Sequence, residues 1–297
     1  MGSLIRWTFP GLLVLLTFLP GGVANQGKPI QIGMVNTLLA EQPKSLIEIA
    51  TDDFKTVLKK ATGFDGEVVS RFGVFEVAEK LDNKQVDFAV FHAHEFAWVR
   101  QKYPQLQPLV IAVDKQHTAR AYLIVRKNSD AKTIADLRGK KLDMPVGTKE
   151  PCRMFLRKLC AAVEPKGPAA LFGSIAKSET RNDALDQVAR DKAQATIVDT
   201  HTLEFYKEVK GAVFEKNLRV LQASEEFPAA VIAYKPGALD AKTLEQFRDG
   251  LLKAHTIREG REMMKAWNVD ALELPPTSYN QSLAEILKAY PAPESKR

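Results

Sequence analysis

Cysteine is scarce in this chain, and long apolar runs are confined to its first residues. Only two of the 297 residues are cysteines. After the apolar run 11–19, which ends at Pro20, no segment has the roughly 20 apolar residues that a membrane-spanning helix needs. Lysine and arginine are scattered among acidic residues without a basic block, which argues against nucleic acid as a partner. Low-complexity tracts and short repeats are absent too, so we expect an ordinary globular protein.

The two cysteines, Cys152 and Cys160, lie in a segment predicted to be one helix. At about 1.5 Å rise per residue, they would be roughly 12 Å apart, whereas a disulfide needs Cα atoms within about 7 Å. We therefore expect free thiols, with a disulfide as the alternative if the helix starts late or ends early. At the helix start, Cys152 has two interpretations: a thiol of lowered pKa, or a small buried apolar residue, which is favoured.

The N-terminal 24 residues have the order of a secretory signal peptide. Arg6 is the only charge before the apolar run, the helix breaker Pro20-Gly21-Gly22 follows it, and Val23-Ala24 provide small residues for cleavage. The run is too short for the alternative, an uncleaved membrane anchor. The predicted cleavage site has no cysteine, so a lipid-anchored form is not expected. We predict cleavage after Ala24 and export to a Gram-negative type of periplasm.

Strand-like and helix-like segments alternate along the rest of the chain, which predicts an α/β fold. Two such units, joined by strand crossovers, predict two lobes with a ligand cleft between them. The expected lobes are residues 25–114 with 228–297, and residues 115–227. Strands are predicted at 30–35, 67–72, 86–91, 121–125, 141–144, 195–198 and 229–234. Helices are predicted at 45–61, 74–81, 133–137, 151–163, 180–190, 241–254 and 257–267.

Polar side chains follow several of the predicted strands directly. In open α/β sheets, ligands bind beyond the carboxyl ends of the strands, so these residues are expected to line the cleft. The formal net charge of +6 weakly favours an anionic partner. The candidate ligand-binding residues are Asn36, Thr37, His92, His94, Thr148, Lys149, Asp199 and His201.

Several segments resemble the periplasmic substrate-binding components of phosphate/phosphonate ABC transporters. These segments are 86–91, 135–142, 195–199 and 220–228, with Tyr279 near the end, and the resemblance runs over essentially the whole mature chain. It implies a type II periplasmic-binding fold in which each lobe is a mostly parallel sheet flanked by helices. It also implies a non-enzymatic, monomeric transport receptor without a cofactor, which passes a small anionic ligand to a membrane permease.

The resemblance also implies roles for particular residues. The family holds phosphonate with small hydroxyl residues and backbone N–H groups at a helix N-terminus, where the helix dipole favours an anion. Here Thr148 supplies a hydroxyl and Lys149 a charge, whereas Glu150 and Pro151 depart from the family pattern. Phosphate, phosphite, a phosphonate and other small oxyanions therefore stay open as ligands. The family pairs a ligand amino group with an acidic residue at the position of Asp199, so a zwitterionic ligand is also open.

His92 and His94 admit three interpretations. They hydrogen-bond a polar ligand, they have structural roles, or they bind zinc or copper together with Asp199, His201 and Cys152. Contact with a polar ligand is favoured over both alternatives. A metal site is disfavoured because the segment with His92 and His94 lies far in sequence from the segment with Asp199 and His201, without the close spacing typical of metal ligands. His117 is expected to be structural, and Phe96, Trp98 and Trp267 are expected to be core residues.

Two other functions compete with transport. A periplasmic sensor subunit would have the same fold and ligand but report to a membrane kinase, and the sequence does not separate the two. An enzyme would need a nucleophilic set such as cysteine, histidine and aspartate. No local motif supports such a set, so we predict that the chain is not an enzyme.

Overall fold

The computed structural model describes residues 28–39, 44–114, 117–267 and 269–293. The predicted signal peptide, residues 1–24, lies outside the described residues. Among the helices described, none is long and apolar enough to cross a membrane.

Strands and helices alternate through the described chain. The strands are β1 (Ile30–Val35), β2 (Gly66–Phe72), β3 (Phe88–Phe91), β4 (Gln107–Val113), β5 (Thr118–Ala119), β6 (Ala121–Arg126), β7 (Lys141–Asp143), β8 (Ser174–Ala176), β9 (Ala195–Asp199), β10 (Leu218–Ala223), β11 (Phe227–Pro228), β12 (Ala230–Tyr234) and β13 (Ala271–Glu273). The helices are α1 (Lys44–Thr62), α2 (Val74–Asp82), α3 (Ala93–Lys102), α4 (Glu150–Ala161), α5 (Pro168–Leu171), α6 (Arg181–Ala189), α7 (Thr200–Asn217), α8 (Ala241–Leu252), α9 (Arg258–Trp267) and α10 (Tyr279–Ala289). Short 3-10 turns lie at Asn36–Leu39, Ile134–Leu137 and Ala254–Thr256.

The strands form two sheets and a small ribbon. The first sheet has the order β13-β4-β12-β3-β1-β2, and the second has the order β10-β6-β9-β7-β8. Strands β2, β1 and β3 are mutually parallel, as are β8, β7 and β9. The remaining pairs are antiparallel.

Both sheets are mixed, since each adds antiparallel strands to its parallel core. Antiparallel pairs form where the chain has just crossed from one sheet to the other. Strand β6 begins at Ala121, opposite Asp199 at the end of β9, so it runs away from the edge at which β9 ends. Strand β12 likewise starts beside Phe91, where β3 ends.

The ribbon of β5 and β11 holds the two connections between the sheets together. Ala119 pairs with Phe227, and Thr118 pairs with Pro228. Next to the ribbon, His117 Nε2 lies 2.8 Å from Glu273 Oε2, which is a structural contact of the kind predicted for this histidine. A rotation of one lobe against the other must therefore bend both connections together.

Apolar side chains cover both faces of the first sheet. Helices α2, α3 and α10 pack on one face and α1, α8 and α9 on the other. Phe96 is fully buried, as predicted. Trp98 is half-buried and donates from Nε1 to the Tyr290 carbonyl oxygen at 2.7 Å. Trp267 packs against the other face, with its ring centroid 6.0 Å from that of Phe54.

The second sheet is covered in the same way, by α4 on one face and by α6 and α7 on the other. Cys152 and Cys160 both lie on α4, buried and unbridged. The prediction of free thiols is therefore confirmed, because an unbroken helix keeps the two side chains apart.

Two helical glycines provide a matched test of the packing. A Cβ atom at Gly250 on α8 would lie 2.4 Å from the Ala61 carbonyl oxygen of α1, whereas one at Gly211 on α7 would meet nothing within 4 Å. We expect Gly250→Ala to lower the free energy of unfolding by about 1–3 kcal/mol. Gly211→Ala, next to a kink in α7 at Lys210, should leave it within about 0.5 kcal/mol of the wild-type value. Urea denaturation of both variants checks this, and equal effects would contradict the close approach of α1 and α8.

Candidate functional site: an interlobe cleft

Three helices begin where strands end at facing edges of the two sheets. Helix α3 follows β3, α4 follows the loop after β7, and α7 follows β9. Backbone N–H groups at a helix start have no partner within the helix, and the helix dipole is positive there. The residues that flank these three starts therefore decide what the cleft can bind.

At the start of α3, Glu95 draws two segments together. Its Oε2 accepts from the His92 backbone N–H at 3.1 Å, and its Oε1 accepts from Thr37 Oγ1 at 2.6 Å. Only 1% of Glu95 is exposed. Burial raises the pKa of its carboxyl to about 7, and the nearby charge of Glu150 on α4 adds to the rise. Sequence reasoning missed Glu95, although its place three residues after the helix cap is a recognised signal.

His92 and His94 form a stacked pair, with ring centroids 5.4 Å apart and planes 12° apart. The His94 ring also meets Trp98 and Phe227 edge-on, at 5.0 and 6.0 Å. Burial lowers the pKa of His92 to about 4 and that of His94 well below its usual value. Both rings are therefore neutral near pH 7. Among the described residues, neither Nε2 has a hydrogen-bond partner.

The described residues do not support the metal alternative. No group of three or more histidine, cysteine, aspartate or glutamate side chains in this part of the chain is placed to hold a metal ion. His92 and His94 are neutral groups with hydrogen-bonding capacity on one side of the cleft.

An ion pair joins the starts of α4 and α7 in the second lobe. Lys149, the residue that caps α4, places its Nζ 2.7 Å from Oδ2 of Asp199. Asp199 caps α7 by accepting the Thr202 backbone N–H on Oδ1 at 2.8 Å. Despite burial, the Lys149 charge and the hydrogen bonds from Lys149 and Thr202 hold the pKa of Asp199 well below its usual range. The carboxylate is therefore ionised.

Two arginines hold the loop that leads into α4. Arg153 donates from Nε to the Thr148 carbonyl oxygen at 3.0 Å, and Arg181 donates from Nη2 to the Gly147 carbonyl oxygen at 2.8 Å. Thr148 is buried, and its Oγ1 donates to the Pro145 carbonyl oxygen at 2.5 Å. Sequence reasoning missed both arginines, because their contacts with the loop exist only in the folded chain.

Cys152 is an inert part of the core. Its side chain is 1% exposed, and burial, together with the Asp199 charge, raises the pKa of its thiol far above the usual range. The interpretation that the helix start lowers this pKa is wrong, because desolvation outweighs the nearby cations. The thiol stays protonated and offers no nucleophile.

Two predicted site residues stand apart from the others. Asn36 is exposed at the start of the first 3-10 turn, and His201 is exposed on the first turn of α7. No contact found among the described residues joins either side chain to Asp199 or to the histidine pair.

The two lobes touch beside the site through α4. Met154 of α4 is 7% exposed and packs into the apolar cluster of the first sheet. Lys158 of α4 pairs with Glu225, whose Oε2 accepts from the Tyr290 hydroxyl at 2.8 Å. The Lys158 ammonium also lies 4.7 Å from the centre of the Tyr290 ring. Contacts among these four residues, Met154, Lys158, Glu225 and Tyr290, therefore involve both lobes and the connection between them.

The sequence profile of one protein family, described as "ABC transporter, phosphonate, periplasmic substrate-binding protein", matches residues 37–277. The chain belongs to this family. The matched part of this phosphonate-binding family member contains the starts of α3, α4 and α7, with both histidines and the Lys149–Asp199 pair. Asn36 and Tyr290 lie outside it. No curated protein sequence matches the chain.

Solved structures similar to this family member share its fold at low sequence identity. PhnD1 from Prochlorococcus marinus, solved with methylphosphonate, has a TM-score of 0.57 and 11% identity, over 88% of this chain and 97% of that one. A binding protein of an ABC phosphonate transporter from Pseudomonas aeruginosa has a TM-score of 0.55 and 12% identity, over 88% and 86%. A Xanthomonas citri protein bound to ATP has a TM-score of 0.57 and 13% identity, over 89% and 97%. The predicted two-lobed periplasmic-binding fold is thus confirmed.

Proposed function

We propose that this chain is the solute-binding component of an ABC-type transporter. It binds a small phosphorus oxyanion (phosphate, phosphite or a phosphonate) between its lobes and delivers it, as a monomer, to a membrane permease. Family membership supports this function, and so does the fold shared with a protein solved with methylphosphonate. The lobes of the proposal are residues 25–114 with 228–297, and residues 115–227. Residues 1–24 direct export to the periplasm and are removed.

The positive charge around the first turn of α4 is the main observation that supports an anionic ligand. Four cationic side chains surround this turn, and the helix dipole adds a positive end. Glu150, the acidic residue of the turn, pairs with Arg157, and Asp199 pairs with Lys149, so the two carboxylates are screened. The four cations are Lys149, Arg153, Arg157 and Arg181.

A ligand at this turn touches both lobes. The Lys149 charge acts on the His92 ring, and the Glu150 charge acts on Glu95, so residues of the first lobe face the start of α4. Ligand binding drives closure only when the ligand contacts both sides. Our proposal assigns His92 and His94 to one side and the loop before α4 to the other, and a permease would recognise the closed form.

Calorimetric titration of the chain from Asn25 with methylphosphonate, phosphite and phosphate tests the proposal. Arg181→Gln removes the guanidinium that holds the Gly147 carbonyl and should weaken binding roughly tenfold or more, because hydrogen bonds made by charged groups contribute about 1.5–3 kcal/mol. Arg190→Gln is the matched control, since Arg190 caps the far end of the same helix and is exposed. A folded protein that binds none of the three anions would disprove the proposed function.

A further inference from the structure

Asp199 is a buried carboxylate at the edge where the proposed ligand lies. It is the last residue of β9 and only 4% exposed. Its Oδ1 accepts a hydrogen bond from the Thr202 backbone N–H. Its Oδ2 is therefore the oxygen that can pair with a neighbouring cation. A buried carboxylate without a positive partner is strongly unfavourable, so Oδ2 must be paired either by the ligand or by the protein.

The protein itself supplies that cation. Strands β7 and β9 are parallel neighbours, with Leu142 opposite Ala195 and Asp143 opposite Thr196. The segments that follow the two strands therefore leave the sheet at the same edge. This places Lys149 next to Asp199, where the ammonium lies 2.7 Å from Oδ2.

We infer that Lys149 is an internal counter-ion that restricts the cleft to ligands without an amino group. This inference rests on the proposed function and makes it narrower. The preferred ligands are simple phosphorus oxyanions such as alkylphosphonates, and aminoalkylphosphonates are excluded.

The exclusion follows from where a ligand ammonium would have to go. To reach Asp199, it would have to displace the Lys149 ammonium. The displaced charge would then remain near the start of α4, together with the Arg153 and Arg181 guanidiniums, whose charges reach the adjacent Cys152. Like charges in a partly buried site repel strongly. A ligand that brings no cation leaves the Lys149–Asp199 pair intact.

A matched pair of ligands, ethylphosphonate and 2-aminoethylphosphonate, tests the selectivity by calorimetry. The wild-type chain should bind ethylphosphonate at least tenfold more tightly. In Lys149→Gln, Asp199 loses its partner, and the ratio should move at least tenfold toward the aminated ligand. Lys149→Arg keeps a cation at this position and should keep the wild-type preference. Equal or tighter binding of the aminated ligand by the wild-type chain, or an unchanged ratio in Lys149→Gln, would overturn the inference.

A second measurement tests the counter-ion without any phosphonate. Lys149→Ala lacks the part of the side chain that propylammonium resembles, so propylammonium should raise the melting temperature of this variant more than that of the wild type or Lys149→Arg. The uncharged analogue 1-propanol should not. Equal shifts in all three proteins would refute the counter-ion role. If the folded wild type binds neither these two phosphonates nor methylphosphonate, phosphite or phosphate, the proposed function fails, whereas the propylammonium shift still decides the role of Lys149.

Discussion

Glu95→Gln is expected to change how the stability of the protein depends on pH. The carboxyl of wild-type Glu95 is 1% exposed and has its pKa raised to about 7 by burial. Between about pH 4.5 and pH 7, the folded state therefore binds more protons at this site than the unfolded state. Stability contributed by the protonated carboxyl is present at low pH and is lost as pH rises through this range. The loss amounts to about 3 kcal/mol by pH 8.

His92 acts in the opposite direction over part of the same range. Its pKa is lowered to about 4, so its contribution to stability increases as pH rises from about 4 to 6.5. The difference between Glu95→Gln and wild type cancels this term and isolates Glu95. That difference should shift by about 2.5 kcal/mol in favour of the variant between pH 5 and pH 8.

Urea denaturation at four pH values measures this difference. Glu79→Gln on α2 removes an exposed carboxyl and serves as the control. A pH-dependent difference for Glu95→Gln no larger than that of the control would mean that the Glu95 carboxyl is not buried as described. The loss of one of its two hydrogen bonds offsets all four values equally and does not affect the slope.

Phe88→Ala is expected to lower the free energy of unfolding by about 3–5 kcal/mol. Phe88 lies in β3, inside the first sheet, and is fully buried. Its ring stacks on that of Phe247 from α8 at a centroid distance of 3.9 Å. Removing the ring leaves a cavity between the sheet and α8 that neighbouring side chains fill only in part.

Two variants calibrate this prediction. Phe88→Leu keeps most of the volume and should lose less than half as much stability. Phe205→Ala removes a ring of the same kind from α7, where it is 45% exposed, and should change stability by no more than about 0.5 kcal/mol. Similar losses for Phe88→Ala and Phe205→Ala in urea denaturation would contradict the placement of Phe88 in the core.

Local patterns were sufficient to predict seven of the thirteen strands in the described part of the chain, together with helices α1, α2, α4, α6, α8 and α9. The run Phe88–Phe91 is wholly apolar, and Pro151 marks the first turn of α4, so each signal lies within a few residues. Helix α7 was missed for a physical reason. Its exposed face carries Phe205, Val209 and Val213, which blur the contrast between an apolar and a polar side on which helix prediction depends.

Parts of the site that depend on distant contacts were not predictable. The ends of β1, β3 and β9 indicated Thr37, His92 and Asp199, because polar residues follow apolar strands there. That Thr37 is joined to Glu95 depends on β1 and β3 being neighbours. The contact of Arg181 with the loop before α4 likewise needs the whole second lobe. Nothing in the sequence spacing indicates either contact.

Because of its position between the lobes, Met154 can report by its oxidation how often the lobes separate. Its thioether belongs to the second lobe but is covered by the first, so only the separated form presents it to solvent. Hydrogen peroxide converts exposed methionine to the sulfoxide, whereas Met34 and Met264, at 1% and 3% exposure inside the first lobe, serve as internal references. Mass spectrometry of three peptides after a brief peroxide pulse would therefore report the fraction of time that the lobes spend apart, without any added label.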